Sequence, residues 1–388
     1  MTNIIKNEFI KLFKRKKILT LSLVLFIFTL AITLLTYQSN SSFAINNDKS
    51  IVNELKKQSK DLNNIEKKKE LKNRIDLFES NIKLHNKLSN PNFNWKNYLK
   101  EENDDLNKKK LNNSNKTDIE RINTNIAMNN LLIKNNIKPS TKYSVTNYEF
   151  LFRYIAIMES LLLFIIIAFT VSDIISSEYD KGTIQVILLR PVKKLKLIFG
   201  KTLASIITIV STVLAFDLIA FIISGFLFGF ANYKTPVFIY PKFTSTNVLN
   251  ITYNHYIEPI KGTTSYMSSG ELLFKSIILQ VLFAICCTIF CVLISLLLKN
   301  NTRSLSFSIS IPIIALLSSS FLYKERLFKY ISFIFSFLSN PIDILTNEYA
   351  MTTGCTYINY SSSILILIGW SLLFILIMYI SKNKLEYK

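Results

Sequence analysis

Long apolar runs alternate with polar segments along this chain of 388 residues. A helix needs about 17 to 25 predominantly apolar residues to cross the hydrocarbon core of a bilayer. Six runs reach that length, and the pattern therefore predicts an all-α polytopic membrane protein with six transmembrane helices. The runs cover residues 18–36, 154–171, 203–230, 272–298, 305–322 and 364–380.

A seventh apolar run, residues 331–345, is shorter and contains Asn340, Pro341 and Asp343. Irregular backbone at membrane depth is tolerated where protein or water covers it. The run therefore predicts a short re-entrant or interfacial helix before the last span. It lies in the outer loop 323–363, and a second outer loop is expected at 231–271.

The first residues predict an amphipathic helix ahead of the first span. Ile5, Phe9 and Leu12 follow one another at helical spacing, with lysines spread around them. A basic amphipathic helix lies in the plane of the membrane surface. Residues 1–37 thus combine a cytoplasmic helix with the first transmembrane helix. A frayed basic anchor is the alternative that so short a pattern leaves open.

Residues 38–147 form a polar segment, rich in Asn and Lys, between the first two spans. Two stretches in it place apolar residues at steps of three and four, which is typical of amphipathic helices. The turn-forming sequence Ser-Asn-Pro-Asn at 89–92 separates the two stretches. The pattern predicts an extracellular helical hairpin, with partial disorder as the alternative. The positions on the apolar faces are Leu71, Ile75, Phe78, Ile82 and His85, then Ile119, Ile122 and Ile126.

Charge sets the expected orientation of the chain, whose formal net charge is +20. With both termini in the cytoplasm, the cytoplasmic segments hold 17 Lys and Arg, and the short outer loops hold six. This distribution follows the positive-inside rule. Many lysines flank apolar runs and the others alternate with acids, so the charge does not indicate a nucleic-acid-binding face.

An alternative interpretation makes the first span a cleaved secretory signal. Lysines and an arginine at 14–17 would form its basic region, and Ser42-Phe43-Ala44 resembles a cleavage site. The apolar run has 19 residues. A signal core has about 7 to 15, so the length favours a retained transmembrane helix.

The polar segment 173–202, between the second and third spans, has the marks of a short mechanical element. Ser177 and Asp180 have the spacing of a helix start, Gly182 permits a sharp turn, and Pro191 ends any helix before it. Such an element, held at the cytoplasmic membrane surface, can transmit a partner's motion to the next span.

Charged residues in this segment suggest two kinds of contact. Glu178 and Asp180 are acceptors for Arg or Lys on a soluble partner. The basic residues around the proline would bind anionic lipid at the inner face. As an alternative, these basic residues only enforce orientation. They are Arg190, Lys193, Lys194 and Lys196.

The sequence Gly200-Lys201-Thr202 matches the end of a phosphate-binding loop, but the rest of that motif is missing. The first glycine position is occupied by Leu195, no strand precedes the motif, and a transmembrane helix follows it. Nucleotide binding by this chain is therefore not predicted. If ATP is used, another polypeptide binds it.

The usual catalytic and metal-binding residues are also scarce. The two histidines, His85 and His255, lie in outer segments, which leaves a poor inventory of general bases. Cys287 and Cys291 share a helix face without His or carboxylate nearby in that span, which favours packing over metal binding. We predict neither an enzyme nor a metal site.

Three features inside the spans are candidates for function. Asp217 lies deep in the third span, where an ionisable residue faces a cavity or a partner, with a position near the outer interface as the alternative. Glu159 lies in the second span after Arg153, and a local ion pair at the interface is the simpler account of it. Gly225 and Gly229 have the spacing that lets two helices approach closely, which predicts a contact with a second subunit or a chance match in an apolar segment.

The order of these features resembles permease subunits of the ABC-2 exporter family, in particular bacterial members with a large outer insert after the first span. The resemblance covers the layout of the whole chain. Its motif covers residues 172–205 and consists of Glu178, Gly182-Thr183, Pro191 and Gly200-Lys201. The lysine pair after the proline departs from the polar-Arg sequence of many relatives, and the outer insert has no match.

The resemblance implies two permease units and two cytosolic ATPase subunits, with ATP and magnesium bound by the ATPase. It further implies a coupling helix that contacts the ATPase. The run 331–345 would correspond to the re-entrant outer helices that precede the last span in the family. The residues implied at the coupling contact are Glu178, Tyr179, Asp180, Lys181, Gly182 and Thr183. Those implied in anchoring the coupling loop are Arg190, Pro191, Lys193, Lys194, Gly200 and Lys201.

The resulting hypothesis is an ATP-driven exporter subunit in a bacterial plasma membrane, moving an amphipathic peptide, an antibiotic or a similar hydrophobic substrate. One alternative is a signalling or assembly protein whose outer insert binds a ligand. Another is a sodium or lipid extruder of the same architecture, in which Asp217 has a larger role in transport.

Overall fold

Helices make up most of the structure, which is a computed structural model. It describes residues 2–14, 16–39, 42–61, 65–111, 116–189, 193–250, 252–253, 255–322 and 332–384. The helices are α1 (Thr2–Lys14), α2 (Lys17–Ser39), α3 (Ser42–Asp61), α4 (Ile65–Ser89), α5 (Trp95–Leu111), α6 (Lys116–Lys134), α7 (Asn147–Ile157), α8 (Leu163–Val171), α9 (Ser176–Asp180), α10 (Thr183–Leu188), α11 (Lys194–Phe228), α12 (Ser269–Leu298), α13 (Asn301–Leu322), α14 (Pro341–Leu345), α15 (Glu348–Thr353) and α16 (Tyr360–Ile380).

Four of these helices, α2, α11, α12 and α16, are long and apolar enough to cross a membrane, among the residues that the structure describes. They correspond to four of the six expected spans. Helix α11 begins well before the expected start of its span at residue 203, so the end of the predicted loop 173–202 is helical. It therefore carries Gly200 and Lys201 on its first turns.

The other two expected spans take different forms. Residues 147–171 are helical throughout, but a π-helical turn, Met158–Leu162, divides them into α7 and α8. Thr146 begins this stretch with a capping box, in which its side chain and that of Glu149 satisfy each other's backbone amides. Helix α13 contains Pro312 and several serines, which lower its apolar character.

The core of the membrane bundle is built around α12. In the most apolar part of α12, 67% of the residues are buried, against 33% or less in α2, α11 and α16. Phe290 of α12 illustrates the packing, because its ring lies 5.4 Å from that of Phe335 and 5.3 Å from that of Phe374. Lipid provides no hydrophobic driving force for helices to associate. The dispersion contacts of such buried rings therefore help to hold the helices together.

The described part of the insert after the first span contains four helices where the sequence pattern predicted two. Val52 and Leu55 of α3 pack on Ile75 of α4, and Leu99 of α5 packs with Leu132 of α6. The break at 89–92 is confirmed, since α4 ends at Ser89 and α5 begins at Trp95. The pattern missed α3 and α5 because each buries only a few apolar side chains against one neighbour.

The prediction of an all-α protein is wrong for the outer loop 231–271. The residues of this loop that the structure describes form four short strands, β1 (Pro236–Ile239), β2 (Phe243–Asn250), β3 (His255–Pro259) and β4 (Ser265–Ser268). Strand β1 pairs antiparallel with β4, and β2 pairs antiparallel with β3. Most of β2 is exposed, so no alternating apolar pattern marks it in the sequence.

The run 331–345 is not one helix, and its first residue lies outside the described residues. It contains a 3₁₀ turn, Phe335–Leu338, followed by α14. The Asn340 side chain caps α14 by accepting from the amides of Ile342 and Asp343. Pro341 occupies the first helical position, which needs no amide donor, so the expected helix is interrupted there.

Candidate functional site

Four charged side chains meet where α1 crosses the start of α11. The Nζ atom of Lys201 lies 2.7 Å from Glu178 Oε1 and 3.0 Å from Glu8 Oε1. The Nζ atom of Lys11 lies 2.7 Å from the same Glu178 oxygen and 2.9 Å from Glu8 Oε1. We call these four residues the charge cluster. Two acids and two bases make it electrically balanced.

Most of the charge cluster is removed from solvent. The exposed fraction is 1% for the Lys201 side chain and 2% for that of Glu178, while Lys11 keeps 40%. Burial by itself would raise the pKa of Glu8, but the charge of Lys201 and the contact with Lys11 outweigh burial and lower it. Burial likewise opposes the charge of Lys11, yet its hydrogen bonds to Glu178 and Glu8 raise its pKa. Both shifts favour the charged forms.

Gly200 allows α1 to approach α11 closely enough for these contacts. A Cβ atom at position 200 would lie 2.7 Å from Ile4 Cγ2, which is inside van der Waals contact. A second ion pair, between Lys17 and Asp173, joins the start of α2 to the end of the 147–171 stretch. Lys17 Nζ also donates to the carbonyl of Thr170 at 3.1 Å.

Residues 172–189, which we call the interhelical segment, are also fixed to α12 and α13. The Ser295 hydroxyl of α12 accepts from the amides of Ile175 and Ser176 at 3.1 and 3.0 Å. Asp180 accepts from the amide of Asn301 at 2.8 Å and so caps the N-terminus of α13. The interhelical segment therefore touches three long helices through polar contacts.

The side of this segment that faces away from α12 and α13 is exposed. Asp180, Lys181, Gly182 and Thr183 are exposed, and Gly182 has a φ of 66°, a conformation that favours glycine. Two apolar side chains are exposed there as well. The exposed fraction is 59% for Val186 and 80% for Leu189. We call residues 180–189 the α10 surface.

The structure separates the residues that the sequence grouped together. Glu178, expected to accept from a partner's Arg or Lys, points inward and bonds to Lys11 and Lys201 instead. Lys193 and Lys194 lie at the start of α11, where Lys193 is exposed, and Lys201 is buried rather than at the surface. Arg190 and Pro191 lie outside the described residues.

Sequence reasoning missed Glu8 and Lys11 as partners of the interhelical segment. A signal was present, since Glu8 is the only acidic residue among the first 47. A single acid inside a basic amphipathic helix has no role in binding an anionic membrane. It therefore pointed to a protein contact.

Polar residues also meet inside the membrane bundle. Glu159, in the π-helical turn, is fully buried, and Asp217 of α11 is 4% exposed. Gln280 of α12 is fully buried and lies beside Asp217. The expected ion pair between Glu159 and Arg153 is wrong, because Arg153 is exposed while both Glu159 oxygens are buried without a hydrogen-bond partner.

The two glycines near the end of α11 have local roles in the structure. The ring of Phe230 covers Gly225 and fills the space of a side chain there. Gly229 ends the helix with a φ of 92°, which favours glycine. A contact of these glycines with a second subunit stays a prediction. Within the described residues, no group of three or more His, Cys, Asp or Glu is arranged to hold a metal.

Several apolar helices, an amphipathic helix bound by buried charges and an exposed interhelical segment define a multi-pass α-helical membrane protein. The family model described as ABC-2 family transporter protein matches residues 2–384, so the chain belongs to that family. Members are membrane components of ABC transporters, typically the non-catalytic subunit, and the family generally implies an ATPase partner. No curated protein and no solved structure gives a significant match.

Proposed function

We propose that the chain is the membrane subunit of an ATP-driven exporter, with both termini in the cytoplasm of a bacterial cell. We count six crossings, adding the helical stretch 147–171 and α13 to the four long apolar helices. At 1.5 Å per residue, the 22 residues of α13 extend about 33 Å, enough for a hydrocarbon core. The distribution of Lys and Arg supports the orientation.

The observation that carries this proposal is the attachment of the interhelical segment. Its inner side is bound to α1, α11, α12 and α13 through Glu178, Ser295 and Asp180. The opposite side of the segment exposes the apolar side chains of Val186 and Leu189. Exposed apolar side chains beside charged ones are typical of a protein-binding surface. We assign the α10 surface to the ATPase, which binds ATP and magnesium.

Movement of the ATPase would then reach the membrane helices through the buried contacts. A buried, hydrogen-bonded ion pair resists separation, because each charge would be left without a partner in a medium of low dielectric. The charge cluster thus makes α1, α9 and the start of α11 move as one body. Glu178 in this assignment is a positioning residue, and Lys181, Gln185, Val186 and Leu189 contact the partner.

Association with the ATPase tests the assignment. We expect Val186→Asp combined with Leu189→Asp to abolish copurification of a coexpressed ATP-binding-cassette partner and ATP-dependent efflux, because two charges replace the apolar contact. Val248→Asp is the matched control, since Val248 is an exposed valine (72%) on outer strand β2. It should leave both measurements unchanged.

A second variant separates docking from transmission. Glu178→Gln alters a side chain that lies beneath the α10 surface, so the ATPase should still copurify while efflux falls. Unchanged copurification with the Val186 and Leu189 variants would contradict the docking surface. Failure of any ATPase to bind the wild-type chain would favour the signalling or assembly alternative.

For the cargo we propose an amphipathic peptide, an antibiotic or a similar hydrophobic compound. The support is family likeness, which by itself carries function weakly. A second permease subunit completes the transporter in this proposal. Efflux from cells challenged with a panel of amphipathic peptides, with and without the chain, measures the cargo class.

A further inference from the structure

Three buried polar side chains lie inside the membrane bundle, and two of them are acids. They are Glu159 from the π-helical turn, Asp217 from α11 and Gln280 from α12. Both Glu159 oxygens are buried without a hydrogen-bond partner, and the buried Asp217 carboxyl lies next to the buried Gln280 amide. Buried polar groups in proteins are nearly always paired, so the unpaired Glu159 carboxyl requires an explanation.

The three residues lie at the same depth. Glu159 is 12 residues from Asn147, Asp217 is 11 residues from Phe228, and Gln280 is 11 residues from Ser269. These helix ends are all on the outer side of the bundle in the proposed topology. At 1.5 Å per residue each side chain is therefore about 16 to 18 Å from the outer end, near the middle of the bilayer.

No positive charge compensates the two acids. The described residues place no Lys or Arg within ion-pair distance of either carboxyl, as the ion pairs lie at the helix ends or in the insert. The polar and titratable groups near the two acids are Tyr154 of α7 and, on α12, Gln280 and the Cys287 thiol. The Tyr154 hydroxyl in turn contacts Thr29 of α2, 3.3 Å away.

An ionised carboxylate in this environment would have neither water nor a cation to stabilise it. Two of them side by side would also repel each other. We propose that Glu159 and Asp217 form a proton-binding pair near the middle of the bilayer, protonated while α7, α11 and α12 are packed together. A protonated Asp217 carboxyl can donate its O–H to the Gln280 amide oxygen.

The π-helical turn supports this assignment. Such turns are rare, cost helix regularity and are frequent at functional sites. Glu159 lies within the turn, at the one place where the second span departs from α-helical geometry. A movement that admits water to the pair would let protons leave, and the two charges would then keep the helices apart. The pair thereby links proton release to helix separation.

The test uses the full-length chain, purified and reconstituted in lipid nanodiscs without an ATPase. Infrared spectra should show protonated carboxyl bands at neutral pH that Glu159→Gln and Asp217→Asn each weaken. Wild-type thermal stability should fall as the pH rises, because the unfolded chain releases protons that the folded pair holds. The double variant, which mimics the protonated pair, should lose this component of the pH dependence.

Glu271→Gln is the control, since Glu271 is an exposed acid at the outer end of α12, paired with Lys275. It should change neither the bands nor the pH profile. Spectra and profiles that are the same in wild type and the pair variants would overturn the proposal. Stabilisation of wild type but not of the variants by sodium over choline would also overturn it, because a metal ion would then occupy the pair. Neither result bears on ATPase docking, which these measurements do not include.

Discussion

Lys201 is the residue on which the charge cluster depends most. Its ammonium group lies between Glu8 and Glu178 and also donates to the carbonyl of Ile174 at 3.3 Å. Removing it would leave two buried acids with Lys11 as their only remaining cation in the cluster. Lys201 therefore places a buried charge on α11 that binds residues from two distant parts of the chain.

We expect Lys201→Met to destabilise the protein by about 3–5 kcal/mol, the usual cost of removing one partner from a buried ion pair. Thermal unfolding in detergent measures the loss. Lys275→Met is the matched control, because the partly exposed pair with Glu271 should contribute no more than about 1 kcal/mol. Adding Glu178→Gln to Lys201→Met should recover part of the loss, since it removes the surplus negative charge. Equal losses in the two lysine variants would contradict this role for Lys201.

At the scale of elements, α1 is held against α11 by a close backbone approach as well as by charge. Gly200 leaves the space that Ile4 occupies. We expect Gly200→Ala to displace α1 and lower thermal stability, although alanine by itself favours a helix by about 1 kcal/mol over glycine. Combining it with Ile4→Ala should restore the contact.

Gly369→Ala is the control for this substitution. Gly369 lies within α16, and a Cβ there would meet no atom within 4 Å. Only the higher helix propensity of alanine should then affect the protein, so its thermal stability should stay the same or rise. A Gly200→Ala protein as stable as Gly369→Ala would show that α1 does not pack as described.

The attachment of α1 should depend on pH. The pKa of Glu8 is below its ordinary value of 4.5, so its contribution is present above that pH and is lost as pH falls through the folded-state pKa. The pKa of Lys11 is above its ordinary value of 10.5, so its contribution is present below that pH and is lost as pH rises through the folded-state pKa. Helix α1 is thus bound most firmly between these two ordinary values.

Spin labels at the exposed positions Asn7 and Lys196 would report this attachment. The distance between them should be short and narrowly distributed at neutral pH and should broaden in acid. In Glu8→Gln the acid transition attributed to this carboxyl should disappear. An unchanged acid transition in that variant would assign the release of α1 to another group.

At the scale of the whole molecule, α11 connects the two candidate sites. Lys201 and Asp217 are 16 residues apart on this helix, about 24 Å at 1.5 Å per residue. One end of α11 carries the charge cluster, and its middle carries the acid pair. Because both sites lie on one continuous helix, a movement of α11 at the charge cluster also moves Asp217.

The outer parts of the molecule also form contacts with each other. The Gly262 amide donates to Glu120 of α6 at 2.8 Å, and the Tyr266 hydroxyl donates to the Thr124 carbonyl at 2.7 Å. The insert thus packs on the strands of the outer loop through polar contacts. No local pattern predicted this, because both contacts join residues 142 positions apart in the chain.

The sequence by itself determined the membrane class, four of the long apolar helices, the N-terminal helix and the location of the interhelical segment. Run length and the placement of Lys and Arg decide these features locally. The tertiary structure alone decided that Glu178 pairs with Lys201 and with Lys11, 167 residues away, and that Glu159 is buried near Asp217 while Arg153 is exposed. It also decided the four strands of the outer loop. Each of these features depends on contacts between segments that are distant in the chain. The spacing of apolar and polar residues within one segment does not show which residues of another segment will pack against it.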